Sequence, residues 1–177
     1  MVQVKAGFSL IEILVVMSIF SGMLYLSLPY LQTYNVKAQI DAELIKMTSL
    51  FKQSKQYSVS RRQSIVVCPV KNAELELSDL RCGDNWQSSI MAFYDPDGDF
   101  EMNTQDELVH IVEPSLVKRV VNRTKFKISP LLNASTTAGR ITICPKHSNK
   151  RLDKQAKSIV VSNVGRVREQ SGFKQCQ

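Results

Sequence analysis

Three groups of residues in this 177-residue chain have types and spacings that suit chemistry. The run Asp95-Pro96-Asp97-Gly98-Asp99 sets three carboxylates at alternating positions, and Glu101 and Asn103 follow with more oxygens. Calcium takes six to eight oxygen ligands, so the run is a candidate cation loop. The EF-hand puts its glycine at loop position six, whereas Gly98 is fourth from Asp95. Pro-Asp-Gly is also strong turn chemistry, so the preferred reading is a solvated turn between strands. A calcium site at Asp95, Asp97 and Asp99 is the lesser reading, and no other metal or cofactor is expected.

The second group is Gly165-Arg166-Val167-Arg168. On a strand Arg166 and Arg168 point to one side and Val167 to the other. Two guanidinium groups on one face suit phosphate, since each can make a bidentate contact. Residues 140–177 carry nine Lys/Arg against two Asp/Glu, whereas residues 66–139 carry seven against eleven. A basic end after an acidic middle hints at an anionic partner. Lys146, Lys150, Arg151, Lys154, Lys157 and Lys174 would widen the patch. The plainer alternative pairs the arginines with the acidic middle or with another subunit.

The third group is Cys68, Cys82, Cys144 and Cys176, which allow three pairings. No two share a CxxC spacing, and only His110 and His147 could assist a metal, which argues against zinc. In an oxidising compartment two disulfides follow, and local pairing, Cys68–Cys82 and Cys144–Cys176, is the simplest. No catalytic set stands out. Neither histidine has a Ser or Cys partner in a known motif, and no Gly-rich phosphate loop follows a strand, so no enzyme is expected.

The elements that must position these groups begin with an apolar run from Phe8 to Leu28, long enough to span a bilayer at about 20 residues. Glu12 sits in its first turn, and an acid in hydrocarbon needs a partner. No small-residue cleavage site follows the run, unlike in a secretory signal peptide. Pro29 removes a helix hydrogen bond, so a kink or local melting is expected there. Val36, Ile40, Leu44, Met47 and Phe51 then recur at spacings of four and three, one apolar stripe on a helix that should reach about Tyr57. Strand signals follow at Ser64–Cys68, Ile90–Tyr94, Leu108–Val112, Phe126–Ser129, Arg140–Cys144 and Ser158–Ser162, with a last one at Val164–Arg168. The fold class is α+β: a long N-terminal helix, membrane-spanning and then amphipathic, packed on an antiparallel β-sheet head.

Gly7-Phe8-Ser9-Leu10-Ile11-Glu12, with Lys5 just before it, closely resembles the prepilin processing motif. The head resembles the GspH/FimT-type minor pilins and pseudopilins. That likeness rests on Cys68, Cys82 and Trp86, on Phe93-Tyr94-Asp95-Pro96-Asp97-Gly98-Asp99, and on Val160-Val161-Ser162-Asn163-Val164-Gly165-Arg166-Val167-Arg168. The resemblance implies a leader at residues 1–7, a transmembrane and assembly helix at 8–30, its amphipathic continuation at 31–60, and a β-rich periplasmic head at 61–177. It implies cleavage after Gly7 by a prepilin peptidase, methylation of Phe8, and pairing of Glu12 with a neighbouring subunit's amine. The partners are other pilins or pseudopilins and the inner membrane, with a single pass. Gly-Arg-x-Arg implies contact with double-stranded DNA, without sequence specificity, in FimT-type pilins of naturally competent bacteria. The rival is an H-type minor pseudopilin of a type II secretion system, which touches no nucleic acid.

The processing reading makes a direct prediction. Mass spectrometry of the assembled protein will find N-methylated Phe8 as the first residue; Met1 or Val2 retained there would refute it.

Overall fold

The computed structural model describes residues 9–71, 80–131, 136–147, 152–171 and 176. By contacts the chain divides into residues 1–35 and residues 36–177. A single helix, α1 (Leu10–Arg61), contributes to both.

In the first unit α1 opens at Ser9, whose carbonyl accepts from the Glu12 and Ile13 amides at 3.0 and 3.3 Å. Leu10, Ile11, Leu14, Met17, Phe20 and Tyr25 are exposed around the helix, and Glu12 is exposed among them. A helix apolar on all sides belongs inside a larger assembly or a membrane. Among the described residues no helix is long and apolar enough to cross a membrane. The apolar sequence continues through Leu26, Leu28 and Pro29, whose side chains lie outside the described residues. The helix is unbroken through Pro29, so local melting does not occur there. Proline costs one ladder bond, and the turns on either side carry the helix past it.

In the second unit the apolar stripe is buried as its spacing predicts: Ile40, Leu44, Met47 and Phe51 are at most 4% exposed. The helix outlasts the expected end at Tyr57. It stops where Arg62 takes a left-handed φ of 56° and the Gln63 amide donates back to the Ser58 carbonyl at 3.2 Å, a Schellman closure. The Ser58 hydroxyl donates to the Gln63 carbonyl at 2.6 Å and lies 3.2 Å from that of Ile128, its alternative acceptor, which sets the helix end against a strand.

Among the described residues eight strands follow: β1 (Ile65–Pro69), β2 (Ile90–Tyr94), β3 (Glu107–Val112), β4 (Lys118–Val121), β5 (Phe126–Ile128), β6 (Gly139–Cys144), β7 (Lys157–Val161) and β8 (Val167–Ser171). They form two four-stranded antiparallel sheets, ordered β3-β2-β1-β5 and β4-β6-β7-β8. The first sheet buries both faces of β1 and β2. Its inner residues Ile65, Val67, Ile90, Ala92, Phe126 and Ile128 share one core with the α1 stripe and with Ile141, Ile143, Ile159 and Val161 of the second sheet. Its outer residues Val66, Cys68, Met91 and Phe93 form another cluster, covered by Leu80, Phe100 and Met102. Phe126 anchors the main core edge-on against Phe51 and Trp86, at 5.2 and 5.6 Å between ring centroids.

Strand β4 is absent from the strand signals above, and its first two residues are charged. Arg119 points inward and is 3% exposed. Its Nε donates to Glu43 of α1 at 2.8 Å, its Nη1 to the Trp86 and Ser88 carbonyls at 2.9 and 3.1 Å, and its Nη2 to the Glu113 carbonyl at 3.3 Å. Burial pushes the guanidinium pKa down, and the Glu43 charge opposes that shift. Glu43, 5% exposed, lies on the buried helix face three residues after Ile40 and four before Met47. Arg119→Met would leave Glu43 only the half-exposed Lys46, 3.4 Å away, and free three carbonyls. Breaking a buried pair costs about 3–5 kcal/mol. Urea denaturation of residues 36–177 should register that loss, and one at least as large for Glu43→Gln, which leaves the fully buried guanidinium without its counter-charge. A loss under about 1 kcal/mol for Arg119→Met would show that the cluster is not an anchor.

Candidate functional site

The Gly165–Arg168 segment begins in the connection between β7 and β8. Gly165 adopts a left-handed φ of 78°, its amide donates to the Ser162 carbonyl at 2.8 Å, and the Ser162 amide donates to the Arg166 carbonyl at 3.0 Å. The Ser162 hydroxyl also accepts from the Arg166 amide at 3.0 Å. This tight turn delays the last strand, which begins at Val167 rather than at Val164 as expected. Val167 packs against the main core, while Arg166 and Arg168 are exposed. Among the described residues neither guanidinium has a hydrogen bond or an ion pair. Among the described residues neither arginine pairs with an acid of the middle of the chain.

Register extends the site beyond the two arginines. Across the second sheet Arg140 of β6 pairs with Val160 of β7, and Val160 pairs with Arg168 of β8. Directly paired residues share a face, so Arg140 and Arg168 flank Val160 at about 10 Å across two strand spacings. An open groove of about 420 Å³ runs beside this row, lined by Val120, Asn122, Arg140, Thr142 and Val160. Sequence reasoning missed Arg140 as a member of the patch, and only strand register puts it there.

Of the wider basic set, three members fall among the described residues, and Lys154 is exposed. Lys157 is held by Asp41 of α1 at 2.7 Å, and Lys146 borders a pocket with Val36 and Gln39. Lys150, Arg151 and Lys174 lie outside the described residues, as do Gly7 and Phe8. The Cys144–Cys176 disulfide forms, with Cα atoms 5.7 Å apart, and ties the end of the chain to β6. Lys118 Nζ donates to the Cys176 carbonyl at 3.3 Å. Cys68–Cys82 forms as well, with Cα atoms 5.6 Å apart. Both pairings are the local ones expected. His110 and His147 are exposed on separate segments and join no cluster among the described residues.

The acidic run is the other assembled feature. Carboxylate oxygens of Asp95, Asp97 and Asp99 lie within 4.8 Å of one another. Asp95 is 2% exposed; its Oδ1 accepts from the Gly98 amide at 2.7 Å. The Pro-Asp-Gly turn therefore exists as read, with Gly98 at a φ of 79°, but its first acid is buried rather than solvated.

A helix packed on two antiparallel sheets, with an apolar N-terminal extension, is the pilin architecture. The family profile described as "Type II transport protein GspH" matches residues 45–165, and the prokaryotic N-terminal methylation motif matches residues 3–21. The chain belongs to the GspH family, a group of structural, non-enzymatic pilin and pseudopilin subunits. Its fold is similar to the type IV minor pilin FimU of Pseudomonas aeruginosa. In one crystal form the TM-score is 0.58 at 10% identity, covering 81% of this chain and 99% of FimU. In a second form the TM-score is 0.52 at 11% identity, covering 75% and 95%. A search of curated proteins finds no significant match.

The turn makes the site sensitive at Gly165. A Cβ there would stand 3.1 Å from Lys55 Cδ, and the left-handed backbone costs an L-residue about 1–2 kcal/mol. Gly165→Ala should lower stability by about that amount in urea denaturation. Gly165→Asn, which tolerates this conformation, should cost less. Equal and negligible costs would mean that the turn does not need glycine.

Proposed function

We propose that the chain is a minor type IV pilin of the GspH/FimT type, assembled at or near a pilus tip, whose Arg166/Arg168 surface holds the phosphate backbone of DNA. The observation that carries this reading is the presentation of two exposed guanidinium groups without partners among the described residues, Arg166 at the turn into the edge strand β8 and Arg168 on it, with Arg140 in the adjoining row. In a folded domain a free arginine pair beside an open groove is a natural anion site, because guanidinium matches phosphate bidentately and sheds water readily. Contacts of this kind recognise charge and spacing and carry no sequence information. Lys174, close to the Cys176 staple in sequence, would add a further cation.

In this reading the leader is removed before Phe8 and the apolar part of α1 is held in the inner membrane until assembly. Glu12 then meets the methylated amine of a neighbouring subunit, since each charge in hydrocarbon requires the other. The head stays on the periplasmic side, where both disulfides are stable. Uptake of DNA for natural transformation is the process such a surface would serve.

The name of the matched family supports a second reading, a minor pseudopilin of a type II secretion system. There the same arginines would contact another subunit, and no nucleic acid would bind. Location of the gene among secretion genes would favour this reading, and location among minor pilin genes the first.

A gel-shift with residues 36–177 separates the two biochemically. The fragment starts at Val36 because Ile40, Leu44, Met47 and Phe51 belong to the head's core. Duplex DNA of any sequence should bind, and Arg166→Gln/Arg168→Gln should weaken binding without unfolding the head. The salt dependence of log K should flatten by about 1.8 for two lost phosphate contacts. Absence of binding, or binding unchanged in the double variant, would overturn the DNA reading.

A further inference from the structure

The twelve residues Asp95–Asp106 make up the whole connection between β2 and β3. Counted from Asp95, the loop places oxygen-bearing side chains at positions 1, 3, 5, 9 and 12: Asp95, Asp97, Asp99, Asn103 and Asp106. These are the ligand positions of the twelve-residue EF-hand calcium loop, whose position 7 serves through its backbone carbonyl and so accepts any side chain, here Glu101. The displaced glycine counted against such a site in the sequence. In the structure position 6 is Phe100, which adopts a left-handed φ of 65°, the conformation the EF-hand glycine supplies. Phe100 bears that conformation while its ring packs on the outer cluster of the first sheet.

Spacing and acidity alone would describe any polar turn. The independent observation is that the loop holds buried carboxylate oxygens with nothing to bind. Asp95 is 2% exposed, its Oδ2 is buried without a hydrogen-bond partner, and its carboxylate lies within 4.8 Å of Asp97 and Asp99. Asp106, half-buried, closes the loop: its Oδ2 accepts from the Asn103 amide at 2.9 Å, and its Oδ1 is a buried atom without a hydrogen-bond partner. A buried, unsatisfied anionic oxygen is costly, and one within 4.8 Å of two further carboxylates calls for a positive charge.

Local cations do not supply it. Lys125 is engaged by the Phe100 carbonyl at 3.0 Å and by the Glu101 carboxylate. Lys127 sits over the Phe100 ring, 4.9 Å from its centroid. Among the described residues no lysine or arginine forms an ion pair with Asp95, Asp97, Asp99 or Asp106. Burial accordingly pushes the Asp95 pKa up, with Asp97 adding to the rise while the Gly98 amide and the Lys127 charge oppose it. Burial also pushes Asp106 up, and the charges of Asp97, Asp95 and Asp99 add to it.

We propose that the β2–β3 loop is a calcium site, with Asp95, Asp97, Asp99 and Asp106 as its carboxylate ligands and Asn103 and the Glu101 carbonyl completing the set. Calcium fits better than magnesium, because a twelve-residue loop of mixed carboxylate and carbonyl oxygens offers many ligands in adaptable geometry, whereas magnesium demands a near-ideal octahedron. Bound calcium would fasten the loop to the end of β2 and stiffen the edge of the first sheet beside Arg61 and Glu107, which pair across the same end of the head.

Isothermal titration of the EDTA-treated full-length protein in detergent with calcium chloride tests this. One equivalent should bind, magnesium chloride should bind at least tenfold more weakly, and calcium should raise the melting temperature above that in EDTA. Asp97→Asn/Asp99→Asn alters two exposed acids, so the head should remain folded, and calcium affinity should fall at least tenfold. Glu101→Gln changes an acid whose side chain is not a ligand and should leave affinity within about threefold. No calcium binding by the wild-type protein, or equal loss in the two variants, would overturn the proposal.

Discussion

The head is organised around one buried charge. Arg119 leaves β4, crosses the core boundary and meets Glu43 on the buried face of α1. On its way it satisfies carbonyls of Trp86 and Ser88, ahead of β2, and of Glu113, after β3. Gln87 completes the join, accepting from the Arg119 amide at 3.1 Å and donating to its carbonyl at 2.7 Å. One guanidinium thereby connects the helix, the second sheet and the segments flanking the first. Apolar packing supplies most of the stability, as it does in any domain of this size. It is tolerant of sliding, however, and a desolvated ion pair with additional carbonyl partners is not. The relative placement of helix and sheets in the head follows from that intolerance.

Once the sheets are placed, both candidate sites appear at connections. The basic row depends on β8 pairing with β7 so that Arg168 faces the same way as Arg140, and on Gly165 to turn the chain into that strand. The acidic loop depends on β2 ending at Tyr94, which carries Asp95 into the interior while Asp97 and Asp99 remain at the surface. In each case a rigid strand end holds the first residue and a left-handed residue steers the next ones. Charged side chains are thus held in fixed relation by backbone, at little cost in side-chain entropy.

Family membership and the likeness to FimU at 10% identity show how little of the sequence this architecture requires. What it needs is an apolar stripe of helical period, strands with apolar inner residues, and turns that tolerate left-handed backbone. Those demands are met by residue classes, so identities drift while the fold persists. The surface is free of them, so the functional reading rests on its charges.

The sequence by itself determined the processing motif, the amphipathic stripe from Val36 to Phe51 and six of the eight strands among the described residues, and it left three cysteine pairings of which the local one forms. The first three are legible because each rests on near neighbours: a contiguous motif or a period of 3.6 or 2. The displaced last strand was less legible, since the turn at Gly165 takes residues that a β-branched run seemed to claim. Tertiary structure alone decided the rest. Arg119 turns inward only because Glu43, 76 positions earlier, waits there. Arg140 joins Arg168 only through the register of two strand pairs, and Lys157 leaves the basic patch because Asp41 of the helix captures it. Asp95 is buried only because β2 is covered on both faces. Each of these depends on contacts between residues distant in the chain, and local propensity holds no information about them.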